Sequence, residues 1–160
     1  MDNQQKDKLS HRIRFCIRIV IAGLFLSGVT AFPIETELAT LVRHQCAIND
    51  MSIWLNKVYQ AVELTNTNYP FLSYGTDWLA FAHLMLAILF IGPLKDPVKN
   101  IWVIEFGLIA SVMIFPLAFI AGGIRGIPFF WTMIDCSFGV VTLALLLYCY
   151  RAVIKLRKLQ

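Results

Sequence analysis

Four apolar runs of membrane-crossing length dominate this sequence, at 13–32, 78–94, 101–121 and 129–150. A helix needs about 20 mainly apolar residues to cross the hydrocarbon core of a bilayer. Lipid offers no water to satisfy backbone N–H and C=O groups, so each run is expected to be helical throughout. The apolar surplus is concentrated in these runs. The chain is 58% hydrophobic and 15% charged, against about 45–50% and about 25% in a soluble domain. Little chain lies between the runs apart from one outer segment, 33–77. The expectation is an all-α, polytopic membrane four-helix bundle with an outer amphipathic helix. It forms a single membrane domain over residues 1–160.

Charge distribution orients the runs. Lys6, Lys8, Arg12, Arg14 and Arg18 precede or open the first run. Lys95 and Lys99 lie between the second and third, and Arg151, Lys155, Arg157 and Lys158 follow the fourth. Eleven of the fourteen basic residues thus fall on one side, leaving Arg43, Lys57 and Arg125 on the other. The positive-inside rule then puts both termini in the cytoplasm. Flanking charge on membrane spans accounts for the basic ends, so no nucleic-acid partner is expected. A competing reading of the first run is a cleaved signal peptide, with Val29-Thr30-Ala31 as a small-residue site. Spans two to four keep their orientation under either reading.

The four cysteines, Cys16, Cys46, Cys136 and Cys149, include no CxxC pair. A four-helix oxidoreductase of the vitamin K epoxide reductase type needs such a pair at a helix end. Cys16, Cys136 and Cys149 read instead as small apolar core residues.

Along the outer segment, Pro33 stops the first span, and Glu35 and Glu37 suit the first turn of a new helix. Residues 51–64 read as an amphipathic helix with Asn49 or Asp50 as N-cap and a stripe of Trp54, Leu55, Val58 and Val62. Residues 66–70 read as a turn. In span two, Thr76, Ala80, His83 and Ala87 share a face that should point inward. Gly92-Pro93 should end that helix. In span three, Gly107, Ser111, Ala118 and Gly122 form a small-residue stripe, and Pro116 predicts a kink. In span four, Thr132, Asp135, Gly139 and Thr142 make the most polar face of any span.

Four ionisable residues lie inside the runs. Each costs about 2.5–3.5 kcal/mol on insertion scales, so such groups usually face a bundle interior and pair. From the helical rise, Arg18 and Glu105 lie about 8 and 6 Å from the inner end of their spans, while His83 and Asp135 lie about 9 and 10 Å from the outer end. The inner two are expected to form a structural ion pair, Arg18 with Glu105. The outer two invite an acid–base reading, with His83 as base and Asp135 orienting it. The plainer reading, a buried hydrogen bond that fixes helix register, carries more weight. Tyr74, Asp77, Arg125 and Thr132 are the candidate ligand-binding residues around that outer pair. No metal site is expected, since His83 is the one histidine inside a run. The cofactor is left unknown.

Three segments, Tyr74-Gly75-Thr76-Asp77-Trp78-Leu79, Trp102-Val103-Ile104-Glu105-Phe106-Gly107 and Arg125-Gly126-Ile127-Pro128-Phe129-Phe130-Trp131, resemble small bacterial four-helix integral membrane proteins with no assigned activity. That resemblance implies the bacterial inner (plasma) membrane and supplies no chemistry. A similarity to the four-helix sterol isomerase and sigma-2 receptor family, which also buries acids among aromatics, is fold-level analogy.

The first functional expectation is a membrane protein that binds a small amphipathic ligand or a membrane partner in a polar pocket in its outer half. Membrane lipid and a second copy of the chain are its other expected partners. One alternative is an intramembrane enzyme on a lipid-like substrate using His83 and Asp135. Another is a small transporter subunit, which would need a continuous polar path.

Overall fold

The computed structural model describes residues 3–44 and 49–158. Among these residues the regular elements are all helical: α1 (Asn3–Ala31), α2 (Ile34–Arg43), α3 (Asp50–Asn68), α4 (Pro70–Leu89), α5 (Ile91–Lys95), α6 (Ile101–Arg125) and α7 (Phe129–Arg157). Four stretches are long and apolar enough to cross a membrane: Lys6–Ala31, Pro70–Lys95, Ile101–Arg125 and Phe129–Arg157. The all-α plan and the four apolar helices are as the sequence indicated. Cys46 lies outside the described residues.

Helix boundaries differ from the apolar runs in instructive ways. The second long helix begins at Pro70, well before residue 78. Proline suits a first helical position, because its missing N–H has no partner to lose there. The turn expected over 66–70 contracts to Tyr69. Thr65, Thr67 and Asn68 bond their side chains back to the carbonyls of Ala61, Glu63 and Leu64, which keeps these polar residues compatible with a helix. Gly92-Pro93 does not end the second stretch either, since α5 runs through to Lys95. Pro93 is the third residue of α5, where an N–H would be unpaired anyway. The chain then turns around Asp96, whose carboxylate accepts from the backbone N–H groups of Val98 and Lys99.

Two ends are defined by specific chemistry. Asn49 caps α3 with a reciprocal box: its side chain accepts from Ser52 N–H, and the Ser52 hydroxyl oxygen accepts from Asn49 N–H, both at 2.9 Å. At the end of α6, Gly126 takes φ +67, and Ile127 N–H reaches back to the Gly122 carbonyl at 2.9 Å. A left-handed residue here favours glycine because it has no Cβ to clash.

Packing divides the chain into two compact units, Met1–Ala22 with Ala87–Gln160, and Gly23–Leu86. The first contains the early part of α1 together with α5, α6 and α7. Ile13, Ile17, Val103, Ile104, Leu146, Cys149 and Val153 form its buried centre. The small-residue stripe of α6 does the work expected of it. A Cβ at Gly107 would lie 2.6 Å from Leu146 Cδ1 and 2.8 Å from Phe90 Cζ. On α7, a Cβ at Gly139 would come within 3.2 Å of the Ser111 carbonyl. Such close approach is how small residues let membrane helices pack. The Cys149 thiol points at the Ile13 carbonyl, 3.8 Å away. Cys136 and Cys149 are buried and Cys16 is half-buried.

The second unit holds the end of α1, α2, α3 and most of α4. Gly28 brings α1 against α4, since a Cβ there would lie 2.9 Å from the Ala80 carbonyl and from Leu84. α2 packs along α3. On α4, Ala80 is buried, whereas Phe81 and Met85 are exposed.

Candidate functional site

A polar site lies in the second unit, where the helices break at Pro33 and again at Tyr69. Pro33 closes off α1 and starts α2, which carries Glu35 in its first turn. On α3, Leu55, Tyr59, Val62 and Asn66 recur at helical spacing, so Asn66 occupies the stripe that the apolar residues mark as inward. On α4, Ser73, Thr76 and Ala80 recur in the same way.

These three helices meet through a polar relay. The Asn66 side-chain N–H donates to Glu35 Oε2 at 2.5 Å. The Ser73 hydroxyl donates to Asn66 Oδ1. The amide thus uses both of its ends, and each of the three groups is half-buried. A primary amide is suited to this position because it joins an acceptor on one side to a donor on the other.

Beside the relay lies a cavity of about 230 Å³. Phe32, Pro33 and Ile34 make its apolar wall; Glu35, Thr36, Asn66, Ser73, Thr76 and Asp77 make its polar wall. It contains two carboxylates and no basic side chain. Drug-sized ligands occupy roughly 300–1,000 Å³, so this space suits a head group or a fragment. The Tyr59 phenol is pushed above its ordinary value, chiefly because it donates a hydrogen bond to Glu63. Desolvation and the negative charges of Glu63 and Glu35 add to this, while Arg43 opposes it.

The residues singled out from the sequence are distributed differently. Asp77 lines the cavity. Tyr74 does not; it is exposed and stands edge-on to Trp78, with ring centroids 6.0 Å apart. Thr132 is packed inside the first unit. It is buried, its hydroxyl bonds back to the Pro128 carbonyl at 3.4 Å, and it lies against Gly122. Arg125 is exposed in the last turn of α6. His83 and Asp135 fall in different units. His83 is half-buried, and its Nδ1–H donates to the Leu79 carbonyl at 2.8 Å. Asp135 is half-buried on α7, with no hydrogen bond or ion pair inside its own unit among the described residues.

The expected Arg18–Glu105 ion pair is not made within the chain. Both residues are exposed, and the ion pair found among the described residues is Lys99–Asp96 at 3.7 Å. The reason is the competition for interior positions. Ile13, Ile17 and Val20 take the inner face of α1, and Val103, Ile104 and Gly107 take that of α6. Each charge is left on an outward face.

Glu35, Asn66, Ser73 and Thr76 were not among the candidate ligand residues. Glu35 was accounted for by the helix dipole, and Asn66 by a turn. The available signal was the position of Asn66 on an otherwise apolar stripe. No family model, curated protein or solved structure matches the chain.

Proposed function

We propose that this protein is a multi-pass membrane protein of the bacterial inner membrane that binds a small amphipathic ligand in its outer half. Its four spans form a helical bundle with both termini in the cytoplasm, following the basic-residue asymmetry. The observation that carries the binding reading is the cavity in the second unit, with its apolar wall at 32–34 and its polar wall on α2, α3 and α4. Two carboxylates and no cation make that wall an acceptor, so the ligand's polar end donates hydrogen bonds. Its apolar part rests on Phe32 and Ile34.

The test is equilibrium binding to purified protein in lipid nanodiscs, using alkyl amines and the matching alkyl carboxylates as probes. The amine should bind more tightly, and Asp77→Asn should weaken it about tenfold, near 1.4 kcal/mol. Equal binding of amine and carboxylate would overturn this reading.

A second reading, an enzyme acting on a lipid-like substrate, draws on one observation. The Leu79 carbonyl can only accept, so it selects the His83 tautomer protonated at Nδ1. In the neutral ring, Nε2 then keeps its lone pair, which is the state a general base needs. Loss of turnover in His83→Gln with an unchanged melting temperature would support it; unchanged turnover would remove it.

A further inference from the structure

Arg18 and Glu105 present a problem that one copy of the chain does not solve. Both lie in the first unit, inside stretches long and apolar enough to cross a membrane. Both are exposed, and no ion pair joins them. Arg14, one turn before Arg18, is exposed as well, and the other outward neighbours are apolar. Phe15 is 59% exposed beside Arg18, and Trp102 and Ile109 are 55% and 64% exposed beside Glu105. An ionised group on such a surface needs a partner at its own depth.

The two charges differ in what lipid can offer them. Arginine can reach the phosphate head groups along its own aliphatic stem. A glutamate carboxylate is short and negative, so phosphates repel it and it needs a cationic donor. Lys99, the nearest cation before it in sequence, is already paired with Asp96. Arg14 and Arg151 lie at the inner ends of the apolar runs, and the exposed cation whose depth comes nearest to that of Glu105 is Arg18 on α1. By helical rise the two stand within about 2 Å of the same level, roughly 8 and 6 Å from the inner ends of their spans.

We infer that a second copy of this chain covers these faces, with Arg18 of one copy paired to Glu105 of the other. The exposed apolar neighbours surround the ion pair and exclude lipid from it. The contact rests on the first unit alone and does not depend on a ligand in the cavity. It gives the outward charges the partner that a monomer in lipid lacks.

Charge exchange tests this directly. Copy number is counted by single-molecule photobleaching of full-length protein in phosphatidylcholine bilayers over a range of protein-to-lipid ratios. Wild type should associate. Arg18→Glu and Glu105→Arg should each weaken association at least tenfold, and the double exchange Arg18→Glu/Glu105→Arg should restore it. The neutral variants Arg18→Gln and Glu105→Gln guard against misfolding; each should lose association while circular dichroism shows unchanged helix content. A wild-type protein that is single-copy at every ratio overturns the inference, and so does undiminished association of the neutral variants. A well-folded double exchange that stays dissociated overturns it too, leaving Arg18 to lipid head groups.

Discussion

Asn66 on α3 donates its side-chain N–H to the Glu35 carboxylate on α2, thirty-one residues away in sequence. Its carbonyl oxygen accepts from Ser73 on α4. One amide therefore ties three helices of the second unit. Asn66→Ala should leave two half-buried polar groups without their partner, at about 1–3 kcal/mol each when desolvated. Thermal unfolding in detergent should show lost stability. Asn66→Asp should be worse than Asn66→Ala at neutral pH, because it places a second carboxylate against Glu35. The reverse order would argue against the relay.

Gly107 is the tightest point of the α6–α7 contact. A methyl group there meets Leu146 and the Phe90 ring at less than 3 Å. Gly107→Ala should cost about 1–3 kcal/mol, the usual cost of overpacking a filled site. Leu146→Ala is costly by itself because Leu146 is fully buried, but in that background the combined loss should be smaller than the sum of the two, since one of the two clashing groups is gone. Strictly additive losses in the double variant would contradict direct contact.

Membrane topology can be read by chemical labelling. In a Cys46→Ser background, Lys57→Cys on the exposed side of α3 should react with a membrane-impermeant thiol reagent in intact cells. Gln160→Cys should react only after lysis. The opposite pattern would invert the proposed orientation.

Tyr59 supplies a pH prediction. Its folded pKa is raised, first by donating a hydrogen bond to Glu63. The neutral phenol is thus favoured in the folded state. The associated stability is present below the ordinary tyrosine value and is lost as pH rises through the higher folded one. The ultraviolet difference between wild type and Tyr59→Phe should titrate above free tyrosine. Glu63→Gln should bring that midpoint down.

Much of this architecture was legible because lipid-crossing helices obey few rules. Run length gave four helices, and glycine and serine spacing on span three marked the face that meets α7. Asn49 was legible as a cap because its side chain acts on its own backbone. The site was harder. Thr132 and Asp135 share a polar stripe, yet Thr132 turns out to spend its hydroxyl on its own helix. Arg18 and Glu105 match in depth, but matching depth does not say which way a side chain faces. The face is decided by competition with Ile17 and Ile104, which are fully buried. Asn66 was hidden for the opposite reason: a residue typical of turns sits inside a helix whose neighbouring polar side chains bond back to their own carbonyls.

The single residue between α3 and α4 has a mechanical consequence. Tyr69 is the whole joint, with two helical rods meeting at one pair of backbone torsions. Asn66 and Ser73 stand three residues before and four residues after it, and their hydrogen bond acts as a latch across the corner. Residues on both sides of that corner, Asn66 before it and Ser73, Thr76 and Asp77 after it, line the cavity. Any guest that takes the Ser73 proton acceptor for itself would release the latch and free the two rods to swing. Occupancy and corner angle would then change together, and the distance between α3 and α4, read by paired spin labels on their outer faces, would report whether the cavity is filled.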